Sequence, residues 1–244
     1  MVIPLHDLNP TRRRAYITLL IIAINVGVYF LVQPQGDELD QLKFNLANAA
    51  IPCELVEQEP AQFIEINAGT CDVESEDSRP FAPDKNVWLS VLYSMFLHGS
   101  ILHLAGNMLF LWIFGNNVED YLGKLGFILF YLFAGVVATA AHVIYEPSSV
   151  IPVVGASGAI AGVMGMYLVL WPHAKVVSLV GYFVLPIPAV MMLLVWFGMQ
   201  FLTGDNSGVA WVAHVGGFAA GVLVGLLLRL MRPPLGREEF EQIA

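Results

Sequence analysis

The chain has 244 residues, of which 57% are hydrophobic and only 13% charged, with a mean hydropathy of +0.68. An ordinary soluble domain is about 45–50% apolar and about 25% charged, so this composition excludes one and reads as a polytopic membrane protein. The formal net charge of −9 is concentrated in one place, because 12 of the 20 acids lie between Asp37 and Asp84, and no basic nucleic-acid footprint accompanies it.

The chain opens with a polar segment, 1–14, expected to be cytoplasmic, in which Arg12, Arg13 and Arg14 precede an apolar run over about 15–32. No small-residue cleavage site follows that run, which predicts an anchor and not a removed signal peptide. Residues 33–87 form an acidic loop that holds both cysteines, Cys53 and Cys71. On an oxidising face these two are candidates for a disulfide, with a pair of free thiols as the alternative. Further apolar runs predict spans at about 101–117, 125–145, 157–171, 177–201 and 209–230, ahead of a cytoplasmic tail, 233–244. The expected fold is therefore an all-α bundle of six transmembrane helices over 15–232. The fourth run has only 15 residues, about 22 Å of helix against a bilayer core of about 30 Å. The segment from Pro147 to Gly155 should then reach into the membrane, where irregular backbone survives only if buried in protein or lining a wet cavity.

With six spans, eight basic residues (Arg12, Arg13, Arg14, Lys124, Lys175, Arg229, Arg232 and Arg237) fall on one side and three (Lys43, Arg79 and Lys85) on the other. The excess predicts both termini in the cytoplasm. The second, fourth and sixth spans then run inward together, so Ser100, His103, Asn107, Ser157 and His214 arrive at a similar depth near the outer face. Polar groups at that depth are costly unless they have a partner or a role.

Ser157 lies between Gly155 and Gly158, small neighbours that let another backbone come close. Two small-residue stripes, Ser157–Ala161–Gly165 beside Gly158 and Gly162, and Gly217–Gly221–Gly225 below His214, are expected to face each other. That packing would put His214 beside Ser157 as a base beside a nucleophile. His103 and Asn107, four apart, share one helix face and offer N–H donors suited to an oxyanion. His98 and Ser100 are expected to hold the preceding loop, and Glu119 to act as a cap or loop anchor and not in catalysis. Trp196 and Phe197 are candidates for a lateral substrate gate, with ordinary interfacial aromatics as the alternative. No metal or cofactor motif is present; His6, His142 and His173 are scattered and need no ligand role.

Three motifs carry a family resemblance: His103-Leu-Ala-Gly-Asn107, Gly155-Ala-Ser157-Gly158 and Ala213-His214-Val-Gly-Gly217. In this order, from about Trp88 to Arg232, the chain resembles the rhomboid family of intramembrane serine proteases. The resemblance implies a Ser157–His214 dyad. It also implies an oxyanion hole from His103, Asn107 and the Ser157 backbone N–H, with His98 in its usual place. The implied partners are the lipid bilayer and transmembrane protein substrates, with no cofactor and no nucleic acid. Two positions depart from the family. Trp88 is followed by Leu89 where an arginine is common, and Ala161 stands where some members stack a tyrosine on the histidine. No carboxylate in the fourth or sixth span can orient the imidazole, so its second hydrogen-bond partner is not named by the sequence. The lack of a transit peptide points to a prokaryotic plasma membrane. A rhomboid-like protein that binds clients without cutting them is the alternative reading. A small transporter is disfavoured, because no internal repeat or mid-membrane ionisable pair is found.

Overall fold

The computed structural model describes residues 2–71, 73, 79–203 and 209–231. Arg232, Arg237 and the predicted tail, 233–244, lie outside the described residues. The fold is mostly helical. Among the described residues, two helices are long and apolar enough to cross a membrane, α6 (Ile101–Tyr145) and α9 (Trp211–Met231). Three shorter apolar helices accompany them: α1 (Tyr16–Leu31), α7 (Ser157–Leu170) and α8 (Ala189–Thr203). The long α6 is two arms joined at Gly123, whose φ of 76° and ψ of 167° are not helical. The first arm therefore continues past the expected limit of 117, and the second starts where the third span was predicted. The core joins α6, α7 and α9, with α1 along α6; Phe114, Phe127, Tyr131 and Tyr167 are fully buried in it.

The structure departs from the expected fold in three places. The fold is not all-α, because β1 (Val2–Asp7), β2 (Lys175–Val180) and β3 (Phe183–Pro188) form an antiparallel sheet in the order β1-β2-β3. The run expected as a fifth span, 177–201, is therefore a hairpin followed by α8. The cause is local: Gly181 and Tyr182 close a two-residue turn between the paired Val180 and Phe183, and Gly181 adopts a φ of 60°. Pro186 and Pro188 cannot lie inside a helix but suit an edge strand. The segment 1–14 is likewise not only a polar leader, since β1 docks on β2.

At the end of the bundle that carries the sheet, Glu119 caps α1: its carboxylate accepts from the backbone N–H groups of Ile17 (3.0 Å) and Thr18 (2.7 Å). The Tyr167 hydroxyl donates to Asp7 Oδ2 at 3.0 Å. Arg12 pairs with Asp120, Lys124 lies over the Tyr16 ring, and Lys175 accepts from Leu8 through its carbonyl, so several basic residues gather at this end. At the other end, the described residues of the loop expected at 33–87 form a subdomain of α2 (Glu38–Asn48), α3 (Pro52–Glu57) and α4 (Phe63–Ala68), leading into α5 (Val87–Ser94). Cys53 and Cys71 are joined in a disulfide within it. Glu54 and Lys85 make a 2.6 Å ion pair with both side chains 2% exposed. Burial raises the Glu54 carboxyl and lowers the Lys85 ammonium, each opposed by its partner.

Two outcomes follow from these buried charges. Lys85→Met leaves the Glu54 carboxylate buried and unpaired, which should cost about 3–5 kcal/mol and expose residues 33–85 to limited proteolysis that the wild type resists. Burial also raises Asp7 to about 6 from 3.8. A carboxyl held more tightly protonated when folded contributes stability below its unfolded value and loses it as pH rises through about 6. The amide of Val177, paired in the β1–β2 ladder, should therefore exchange more slowly at pH 5 than at pH 7.5, by about 1–2 kcal/mol after correction for intrinsic rates. Asp7→Asn should remove that difference.

Candidate active site

The site is positioned by the contact between α7 and α9. A Cβ at Gly217 would overlap the carbonyl oxygen of Gly158, one at Gly221 that of Gly162, and one at Gly165 that of Phe218. Gly158 and Gly162 also face Ala138 and Ala134 of α6. The two stripes thus meet as expected, with one adjustment. The α7 row is Gly158–Gly162–Gly165, not Ser157–Ala161–Gly165. Ser157 borders this contact and lines a cavity of about 560 Å³, together with His103, Asn107, His214 and Trp196.

The close approach sets the geometry of the polar groups. His214 Nε2 lies 2.8 Å from Ser157 Oγ. His214 Nδ1 lies 2.7 Å from Gln200 Oε1 on α8. Gln200 is the residue that the sequence reading missed; the signal was a lone amide inside an apolar helix, where a polar group is costly without a partner. The Trp196 ring packs beside the imidazole, with 5.9 Å between centroids and a tilt of 40°. Phe197 does not line the cavity; it stacks on Phe218 at 4.7 Å and meets Phe201 edge-on.

The backbone leading to Ser157 is fixed from outside. The Gly155 N–H donates to the Ser94 carbonyl at 2.9 Å, and Val153 to Ala50 at 2.8 Å. The N–H groups of Cys53 and Cys71 donate to the carbonyls of Ser149 (3.0 Å) and Ser148 (3.3 Å), so the disulfide sits directly on this segment. Gly155 has a φ of 126°, and a Cβ there would come within 2.8 Å of the His103 ring and 3.4 Å of Ser157 Oγ. The missing side chain leaves the space between those two groups open. Ser157 begins α7, where a backbone N–H has no intrahelical acceptor.

His103 is set by Ser100, whose hydroxyl accepts from its backbone N–H at 3.1 Å. Its ring packs edge-on against His98 at 5.2 Å. The Gln33 side chain grips both backbone groups of His98, at 2.9 and 3.0 Å, which holds this loop. Asn107 is 8% exposed, and its buried Nδ2 has no acceptor among the described residues. His142, set aside in the sequence reading, is buried on the second arm of α6 and also lines the cavity, 3.9 Å from Glu146.

A profile of the rhomboid domain matches residues 85–231, more than half of the chain. Among similar proteins, Rhomboid protein 1, mitochondrial, of Saccharomyces cerevisiae is 33% identical over 148 residues, 56% of this chain and 41% of that one. Rhomboid protease GluP of Bacillus subtilis is 31% identical over 176 residues, 69% of this chain and 32% of that one. RHOMBOID-like protein 6, mitochondrial, of Arabidopsis thaliana is 33% identical over 157 residues, 62% of this chain and 46% of that one. The chain thus spans less than half the length of each of these three relatives.

The packing makes a positional prediction. Gly221→Val should lower stability in detergent by at least about 3 kcal/mol, because the clash is with backbone and not with a flexible side chain. Gly198→Val on α8, where no neighbouring atom lies within 4 Å, should change it by less than about 1 kcal/mol. Thermal unfolding of the two purified variants in the same micelle checks both.

Proposed function

The chain belongs to the rhomboid family, and we propose that it is an intramembrane serine endopeptidase in which Ser157 is the nucleophile and His214 the general base. The observation that carries this reading is the 2.8 Å contact between His214 Nε2 and Ser157 Oγ inside a cavity. Ser157 Oγ attacks a peptide carbonyl while His214 takes its proton. The negative charge that develops on the carbonyl oxygen is met by Asn107 Nδ2, His103 and the Ser157 N–H. Asn107 suits this role because its donor is otherwise unused. His214 returns the proton to the leaving amine, and water then releases the acyl group by the same steps.

In this reading residues 15–232 are a six-span membrane domain, with α6 counted as two crossings either side of Gly123 and the 33–87 subdomain on the extracytoplasmic face. Both termini lie with the basic residues in the cytoplasm. Substrates are membrane proteins cut in or near a transmembrane segment, whose helix must unwind to present a peptide bond. Trp196 borders the cavity and Phe197 supports α8 behind it, so lateral access past α8 is the route proposed.

A fluorescent fluorophosphonate should label the wild type in mild detergent or bilayers, and fail to label Ser157→Ala and His214→Ala. Gly155→Ala fills the space between His103 and Ser157 and should lower labelling by about 10²-fold, in line with loss of an oxyanion site. Absence of labelling in folded wild-type protein, with intact binding of membrane clients, would replace this reading with that of a non-cleaving client-binding protein.

A further inference from the structure

Gln200 is held in one orientation. Its Nε2 donates to the Trp196 carbonyl, one turn back on α8, at 3.0 Å. A carbonyl oxygen only accepts, so the amide nitrogen must face Trp196 and Oε1 must face His214. An amide oxygen is likewise only an acceptor, so the 2.7 Å contact requires the proton of neutral His214 to sit on Nδ1. That leaves Nε2 bare, with its lone pair directed at Ser157 Oγ, 2.8 Å away. This is the tautomer that a general base needs. Gln200 is 7% exposed, so water does not compete freely for either bond. Among the described residues, no carboxylate bonds to the imidazole.

We infer that Gln200 is a positioning residue, the uncharged third member of a Ser157–His214–Gln200 triad, which selects the His214 tautomer and fixes the plane of its ring. Trp196 and Gln200, one turn apart on α8, both contact the imidazole, the first through a tilted ring 5.9 Å away and the second at Nδ1. The inference rests on the proposed protease reading for its catalytic meaning, but the tautomer assignment stands on geometry alone.

The test uses the full chain in micelles with ¹⁵N-labelled histidine. In the wild type near pH 8, His214 should show a protonated Nδ1 and a bare Nε2. Gln200→Met keeps the size of the side chain and its packing but removes the acceptor. It should show a mixture of tautomers. It should also lower kcat on a transmembrane-peptide substrate by about 10²-fold, with KM within about twofold because no substrate contact is lost. Gln200→Glu restores an acceptor at Nδ1 and should recover most of that loss in kcat, while lowering stability because its charge is buried. A wild-type His214 protonated on Nε2, or Gln200→Met with wild-type kcat, would overturn the inference. A protonated Nδ1 lost in Gln200→Met, in a wild-type protein that neither labels nor cleaves, would support the positioning and sink the protease reading instead.

Discussion

Everything at the site depends on how closely the α7 and α9 backbones approach. Within a bilayer there is no hydrophobic drive to join two apolar helices, so association rests on packing and on polar contacts. Here the packing is backbone against backbone, with Gly158, Gly162 and Gly165 against Gly217, Gly221 and Phe218. Ser157 is one residue from this row and His214 is three residues above Gly217, so neither needs a long or flexible reach. A slip of one residue along either axis moves a side chain by about 1.5 Å. That is enough to break the 2.8 Å contact between them. The glycines therefore set the register as well as the distance, and the alanines of α6, Ala134 and Ala138, close the third side.

A rigid helix pair does not by itself fix what precedes Ser157. Pro147 to Gly155 is irregular, and its backbone groups would be costly at membrane depth without partners. The protein supplies those partners from a distant part of the chain. Ala50 and Ser94 take the N–H groups of Val153 and Gly155, and the two bridged cysteines donate to Ser149 and Ser148. Ala50 is in turn held by the Ser94 hydroxyl at 2.6 Å. The acidic subdomain is thus a clamp on the approach to Ser157, built around a disulfide and a buried Glu54–Lys85 pair. The part of it that matters for the site is backbone hydrogen bonding.

Much of this was legible in the sequence because it is written in period and spacing. The apolar runs located α1, both arms of α6, α7 and α9 to within a few residues, and the spacing of four placed glycine against glycine. His103 and Asn107 were legible as one face, and the structure puts both on the cavity with Ser157 and His214. The hairpin was misread because mean apolarity does not distinguish a strand from a helix. Its punctuation, Gly181-Tyr182 and then Pro186 and Pro188, carried the answer. The sheet also needs β1, whose six residues could declare themselves as a strand only through their distant partner, β2. Gln200 was missed for a related reason. Its meaning depends on the rotation of α8 against α9, which no local pattern encodes.

The choice of an amide at position 200 follows from where it stands. A carboxylate there would bind the imidazole more strongly when the histidine is charged. At rest, however, it would be a buried anion in an apolar helix with a neutral partner, at a cost of several kcal/mol. The amide accepts the same hydrogen bond without charge, and its own N–H is satisfied by Trp196 on the same helix. What it gives up is help in stabilising an imidazolium. Under the proposed mechanism that loss is offset because no charge is kept buried while the imidazole is neutral. The arrangement also divides labour between helices. The groups proposed to react ride on α7 and α9, which are locked through their backbones. Gln200 and Trp196, which contact the imidazole, ride on α8. On that helix Leu194, Val195, Met199 and Leu202 are left exposed. Under the proposed route of access, movement of α8 would withdraw Trp196 and Gln200 together and leave the Ser157–His214 register intact.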